Sequence, residues 1–258
     1  MLGRYRGALA DDGHPLAWAS RFNGLDGDGH VAVRVPYAIE HQSMHSAADA
    51  HHVRKGAWRS VAHSEHGFFT ESFIDELAHA AGQDPFEYRR KLLADAPRHR
   101  AVLEKAAELA GWSRPASPGR GRGIALVESF GSIVAEVAEV EIVEGRIKVH
   151  RVCAAVDCGE VVNPDTAASQ IEGGVIFGLS AALFDEITIR DGRVVQTNFT
   201  DYPMPKLADA PSVMVEFMHS DAPMGGLGEP GVPPIAPAIA NAVFAATGKR
   251  LRTLPLRI

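Results

Sequence analysis

The sequence predicts an α+β fold, on three observations. Apolar residues recur at helical spacing between residues 68 and 110, with capping residues at the joins. After residue 133 the pattern changes to strands that fold back at Glu144-Gly145 and Asp191-Gly192, both short hairpin signals. Two later helical stretches open at Asn163-Pro164 and Pro233-Pro234. Helices grouped early and hairpins grouped late make an α+β chain. Its 258 residues suit one large or two modest domains. Hydrophobic residues at 46% and charged residues at 22% exclude a disordered chain. A net charge of −6 leaves no broad basic footprint, so nucleic acid is not an expected partner. The longest apolar run, Val175 to Phe184, is interrupted by Gly178 and Ser180 and falls well short of the roughly 20 residues a membrane helix needs.

Taken in order, residues 4–22 read as a hairpin around the turn cluster Asp11-Asp12-Gly13. Residues 23–52 read as irregular, with one short strand near Val31 to Val35. A helix begins at Phe68, carries Phe69, Phe73, Ile74, Leu77, Ala78 and Ala81 on one face, and stops at Gly82. A second starts with Asp84 as N-cap, Pro85 at its first position and Glu87 closing a capping box. A third runs from Arg98 to Ala110. Trp112 to Gly123, with two prolines and three glycines, reads as a linker, which divides the chain into residues 1–114 and 115–258. Strands are expected over Ile133–Val143, Arg146–Asp157, Glu186–Arg190, Arg193–Thr197 and Val213–Met218, with helices over Thr166–Leu183 and Ile235–Thr247. Met1 to Arg6 form no apolar signal segment, and the chain opens as if partway through a strand. Cytoplasmic and periplasmic compartments both stay open.

Chemistry concentrates in a few places. Met224-Gly-Gly-Leu-Gly-Glu-Pro-Gly231 surrounds one acid, Glu229, with four glycines and a proline just before a helix start. A carboxylate on such a loop suits a general base, and a solvated loop glutamate is the plainer reading. The helix after Asn163 carries Gln170 beside Gly173, Gly174 and Gly178. Each interior glycine costs about 1 kcal/mol against alanine, so something packs closely there, either another element or a cofactor. Alternation along the Ile133–Val143 strand puts Glu136 on the face of Val134 and Ala138, where a buried acid needs a partner or a shifted pKa. Arg59 follows Trp58, a pairing that suits phosphate or a planar heterocycle as well as a plain surface arginine. Six histidines between His41 and His66 complete no recognised metal pattern and read as structural. Cys153 and Cys158 lie an odd number of residues apart, which sends them to opposite strand faces as separate thiols. No Walker loop, dinucleotide fingerprint, nucleophile elbow or zinc-protease motif is present.

Several of these stretches occur together and in order. Gly56-Ala-Trp-Arg-Ser-Val61 leads into Phe68-Phe-Thr-Glu-Ser-Phe-Ile-Asp-Glu-Leu77 and Asp84-Pro-Phe-Glu-Tyr-Arg-Arg-Lys-Leu92. Val156-Asp-Cys-Gly-Glu-Val-Val-Asn-Pro164, Gln170-Ile-Glu-Gly-Gly174 and Gly226-Leu-Gly-Glu-Pro-Gly-Val-Pro-Pro-Ile-Ala-Pro237 follow. This set resembles the molybdenum-binding subunits of the xanthine dehydrogenase and aldehyde oxidase family, most closely the isoquinoline 1-oxidoreductase β-subunit branch, which includes aldehyde dehydrogenase large subunits. The resemblance implies a molybdopterin-binding-subunit-like fold of hairpins and mixed sheets with packed helices. It implies oxidative hydroxylation of an aldehyde or an N-heteroaromatic carbon, with water as the oxygen source and Glu229 as general base. Arg59, Gln170, Gly228 and Glu136 are its cofactor-side residues, although relatives of the xanthine dehydrogenase type carry a small residue at the Glu136 position. The implied cofactor is molybdopterin, as the cytosine dinucleotide, with molybdenum held by its dithiolene and by no side chain here. Two cysteines cannot build an iron–sulfur relay, so electrons are expected to leave through a separate iron–sulfur subunit. The family's Gly-Gln-Gly segment and a further glycine-rich loop have no counterpart in this chain. The resemblance therefore implies the C-terminal portion of a large subunit, which needs its remaining part as a partner. A non-catalytic cofactor-binding or assembly fragment is the rival expectation.

Overall fold

Residues 1–23, 34–47 and 56–258 are described by a computed structural model. The chain opens with β1 (Leu2–Leu9) and β2 (Pro15–Asn23), an antiparallel hairpin. Its turn closes where Gly13 takes a φ of 83° and Asp12 Oδ1 accepts from the His14 amide at 2.9 Å. β3 (His41–Ala47) joins β2 in parallel. This strand differs from the sequence reading, which left residues 23–52 irregular apart from a strand near Val31 to Val35. Residues 31–33 lie outside the described residues, and Arg34 and Val35 are not in a strand. All seven β3 residues are exposed, so backbone pairing to β2 rather than apolar alternation makes it a strand.

Helix α1 (Ala62–Ala80) starts six residues before Phe68, because its first two turns are polar and carry no apolar stripe. Asp84 caps α2 (Pro85–Leu92), its Oδ1 accepting from the Phe86 and Glu87 amides at 3.0 Å each. The Glu87 carboxylate accepts from Arg90 at 2.9 Å, the partner it takes in place of the expected capping box. Helix α3 (Pro97–Ala110) ends at Gly111 with a left-handed φ of 64°.

A four-stranded sheet organises the rest. Its first three strands are β4 (Arg120–Ser129), β5 (Ser132–Val143) and β6 (Arg146–Asp157). Helix α4 (Pro164–Leu183) and the two-residue strands β7 (Ile189–Arg190) and β8 (Arg193–Val194) follow, before β9 (Ser212–Phe217) returns to complete the sheet beside β6. The first three strands are antiparallel, and β9 lies parallel to β6. Helix α5 (Ile235–Thr247) closes at Gly248. The expected linker is corrected here, since its end, Arg120 to Gly123, is the start of β4. Gly121 and Gly123 let this strand lie directly against α5: a Cβ on Gly123 would strike the backbone at Ala238, Asn241 and Ala242. Glycine there marks close packing rather than a flexible connection.

Both faces of the sheet are covered, so β5 is buried along most of its length. On one face Ile133, Ala135 and Val137 join Leu103, Ala106, Trp18 and Ile74 in a common core. That core draws on residues from both sides of position 114. On the other face Ala138 and Val140 meet Val175, Leu179, Ile235 and Ile239 of α4 and α5. A buried polar network stitches the helices to the sheet. Glu71 accepts from Tyr37 Oη at 2.8 Å, Arg89 Nε at 2.9 Å and the Leu126 amide at 3.0 Å, while Asp75 accepts from Arg250 at 2.7 Å. Cys153 lies in the first core and Cys158 in a third cluster with Val134 and Ile171, and burial raises both thiol pKa values.

Candidate active site

The Glu229 loop is pinned on both sides of its acid. Before it, the Gly225 amide donates to Cys158 O at 2.9 Å, the Gly226 amide to Phe130 O at 2.8 Å, and Ser132 Oγ to Gly226 O at 2.6 Å. A Cβ on Gly225 would strike Ser132 and the Gly131 backbone, so only glycine lets the loop lie this close to the β4–β5 turn. After it, Gly231 packs on α4, where a Cβ would come within 2.9 Å of Ile171 O. The helix glycines divide accordingly. Gly174 meets Gly231 and Gly178 meets Val232 and Ile235, whereas a Cβ on Gly173 would find only Arg59, at 4.0 Å.

Arg59 and Ser60 hold the loop from the other side. Arg59 Nε donates to Gly228 O at 2.6 Å, and its terminal nitrogen reaches Gln170 O at 3.3 Å and Gln170 Oε1 at 3.4 Å. Next in the chain, the Ser60 amide donates to Glu229 Oε1 at 2.8 Å. The guanidinium also lies 5.6 Å from the centre of the Phe177 ring, which stacks 4.8 Å from Trp58. Arg59 is therefore bonded directly to Gln170 and Gly228, and Glu229 is held by the neighbouring Ser60, across 169 residues at the widest.

Glu136 stands apart from this hydrogen-bonded set. It is fully buried between Ala125 and Ala154 on neighbouring strands, both carboxyl oxygens lack a hydrogen-bond partner, and burial pushes its pKa well up. Three contributors were not anticipated from sequence. Ser60 acts through its amide, which any residue but proline carries. Phe177 stands where the helical pattern marks only one more apolar position. His63 sits on the first turn of α1 with its ring 5.1 Å from Phe130. Burial lowers its pKa, and the Glu229 and Glu128 carboxylates oppose that shift. A cavity of about 460 Å³ between β1, α1 and Leu254 includes none of these residues, and the Arg59 cluster instead lies on an open face with Gln170 and Gly228 exposed.

That face fits an anionic molybdopterin: an arginine offers positive charge, an exposed amide can donate and accept, and the space beside Gly228 is open. No group of three His, Cys, Asp or Glu side chains among the described residues could hold a metal ion. None is needed where a cofactor carries the metal.

Comparison with solved structures gives the same class of fold. The chain superposes on quinoline 2-oxidoreductase from Pseudomonas putida 86 with a TM-score of 0.84 at 14% identity, covering 98% of this chain and 60% of that one. For the Cu,Mo-CO dehydrogenase the score is 0.80 at 12% identity, covering 97% and 60%. The family model for the molybdopterin cofactor-binding domain matches residues 27–211, and the chain belongs to that family. Among curated relatives it is 37% identical over 204 residues to the isoquinoline 1-oxidoreductase β-subunit of Brevundimonas diminuta, covering 77% of this chain and 26% of that protein. It is 33% identical over 229 residues to the membrane-bound aldehyde dehydrogenase [pyrroloquinoline-quinone] of Gluconacetobacter polyoxogenes, covering 79% and 29%. It is 36% identical over 244 residues to a nicotinate dehydrogenase subunit of Pseudomonas putida, covering 86% and 20%. The chain thus spans between a fifth and a third of the length of these relatives. No helix among the described residues is long and apolar enough to cross a membrane.

Proposed function

We propose that this chain is the catalytic-loop portion of a molybdenum hydroxylase large subunit and acts in the oxidation of an aldehyde or an N-heteroaromatic carbon. The single observation that carries the reading is the clamp on Glu229: Arg59 holds the preceding carbonyl while Ser60 fixes one carboxylate oxygen. For an aldehyde, RCHO and water give the acid, two protons and two electrons. The bound molybdenum cofactor supplies the two-electron oxidant. Glu229 removes a proton from the attacking oxygen; with Oε1 held by the Ser60 amide, Oε2 is the oxygen that takes it. Arg59, Gln170 and the open backbone at Gly228 hold the cofactor, taken to be the cytosine dinucleotide. Glu136, the remaining cofactor-side expectation, is fully buried in the sheet and presents no atom to that open face, so it takes no direct part in holding the cofactor. Electrons pass to a separate iron–sulfur subunit, and the rest of the large subunit completes the site.

Glu229→Gln keeps the shape and the Ser60 hydrogen bond but cannot accept a proton. In the assembled enzyme it lowers kcat by at least about 100-fold, with molybdenum content unchanged. Retention of more than about a tenth of kcat would overturn the assignment. Elemental analysis separates the rival reading, since a chain that carries no molybdenum even when assembled is a non-catalytic fragment. Release of a cytosine nucleotide on acid hydrolysis checks the form of the cofactor.

A further inference from the structure

Residues 186–210, between α4 and β9, contain no buried residue, yet they are apolar out of proportion to that position. Ile187, Ile189, Val194, Met204, Phe199 and Leu207 all stand exposed, the last two at 88% and 93%. Solvated loops of this length are ordinarily polar, and soluble monomers rarely show contiguous apolar patches beyond a few hundred Å².

The arm nevertheless has a definite shape. Thr188 donates its amide to Gln196 Oε1 at 2.8 Å, and the Val195 amide donates to Thr188 O at 2.8 Å. Asn198 Oδ1 accepts from the Phe199 amide at 2.8 Å, and Asp209 Oδ2 from the Lys206 amide at 2.7 Å. Local polar bonds hold the backbone while the apolar side chains point at no core of their own. An arm built this way is ordered in advance and lacks only its counterpart.

We infer that residues 186–210 are a docking arm whose occupant is the remainder of the large subunit, an inference that rests on the reading of the chain as one portion of such a subunit. The relatives that match this chain are several times longer than the matched region, so most of their polypeptide is available to pack against it. The family model runs to residue 211 and takes in the whole arm, which marks it as part of the family's domain rather than an insertion. Its charge points the same way. Three basic and four acidic residues leave it near neutral, which suits a protein surface and not an anionic membrane or nucleic acid. A second copy pairing edge to edge would find only the two-residue strands β7 and β8. The arm also leaves the sheet from α4, the helix of Gln170, and returns to it at β9 shortly before the Glu229 loop.

The test mixes the 258-residue chain with the part of the Brevundimonas diminuta β-subunit that lies outside the matched region, expressed separately, and follows binding by sedimentation and amide hydrogen exchange. The expected result is a complex in which the amides of 186–210 exchange at least tenfold more slowly. The double variant Phe199→Asp with Leu207→Asp should bind at least tenfold more weakly, with an unchanged circular dichroism spectrum and melting temperature. Equal binding by both chains, no binding by the unmodified chain, or a self-dimer that the double variant abolishes would each overturn the proposal. Binding here needs no molybdenum, so it can fail while the Glu229 assignment stands, and the reverse.

Discussion

Ser60 can offer its amide to Glu229 because its backbone turns to a φ of 78°, followed by Val61 at 43°. Positive φ at a β-branched residue is a strained conformation that costs of order 1–3 kcal/mol and persists where the surroundings over-determine it. Here the hydrogen bonds of Arg59 and the start of α1 do so. His66, one turn into that helix, lacks such support. It is fully buried against Phe22 at 4.6 Å, neither ring nitrogen has a partner, and burial, with a smaller contribution from His63, pushes its pKa down to about 4. A depressed pKa means the folded state binds fewer protons than the unfolded one. The stability this group contributes is therefore present above the unfolded value near 6.5 and is lost as pH falls towards 4. That loss is about 3 kcal/mol for one such group. His66→Leu should shrink the fall in melting temperature between pH 7.5 and pH 4.5, and an equal fall in both proteins would remove His66 as its source.

Close contact between elements depends on glycines placed where backbones meet. Gly121 and Gly123 bring β4 onto α5, Gly174 and Gly178 bring α4 onto the stretch after Glu229, and Gly231 meets it from the other side. The strand pair matters for function because α5 begins at Ile235, six residues after Glu229, so any displacement of α5 is passed to the acid. Gly123→Ala places a methyl group against the backbone of α5, which has no flexible end to yield. The expected cost is about 3 kcal/mol, at the upper end of ordinary overpacking. Urea unfolding measures it, and a loss below about 1 kcal/mol would mean that strand and helix separate more easily than this packing implies.

Across the whole molecule, the Glu71–Arg89–Asp75–Arg250 network does what apolar packing alone does not: it fixes the azimuth of α1 against α2, β4 and the C-terminal segment. Arg89 is fully buried, its terminal nitrogens reaching Glu71 O at 2.7 Å and Asp75 Oδ1 at 3.4 Å. Asn241 of α5 adds a bond to Glu71 O at 3.3 Å and another to Ile124 O at 3.2 Å. Burial raises the Glu71 pKa, which its partners Arg89 and Tyr37 oppose, so the carboxylate depends on that arginine for its charge. Arg89→Met would leave the buried Glu71 without its cation, while Asp75 keeps Arg250, at an expected cost of about 3–5 kcal/mol. Chemical denaturation of the chain checks the figure, and a variant as stable as the parent would show that this carboxyl becomes neutral without strain.

The pattern of residues alone specifies the helices of residues 62–110 in all but the first two turns of α1, the β5–β6 hairpin, the helices at 164 and 235, and the loop that carries Glu229. Each of these is written in local terms, as a period of apolar residues, an Asn or Asp cap, a glycine where φ turns positive, or, for the Glu229 loop, a run of glycine and proline around one acid. The family motifs added Arg59 and Gln170 as members of one site. Three-dimensional packing was needed to show that Arg59 grips Gly228 and Gln170, that Ser60 offers its amide to Glu229, and that β3 pairs with β2 although no residue of β3 is buried. It also turned the glycine-rich end of the expected linker into a strand. A glycine that permits a bend and a glycine that admits a neighbouring helix look the same in a sequence. The difference lies in what stands opposite, and for Gly123 that is α5, more than a hundred residues further along the chain.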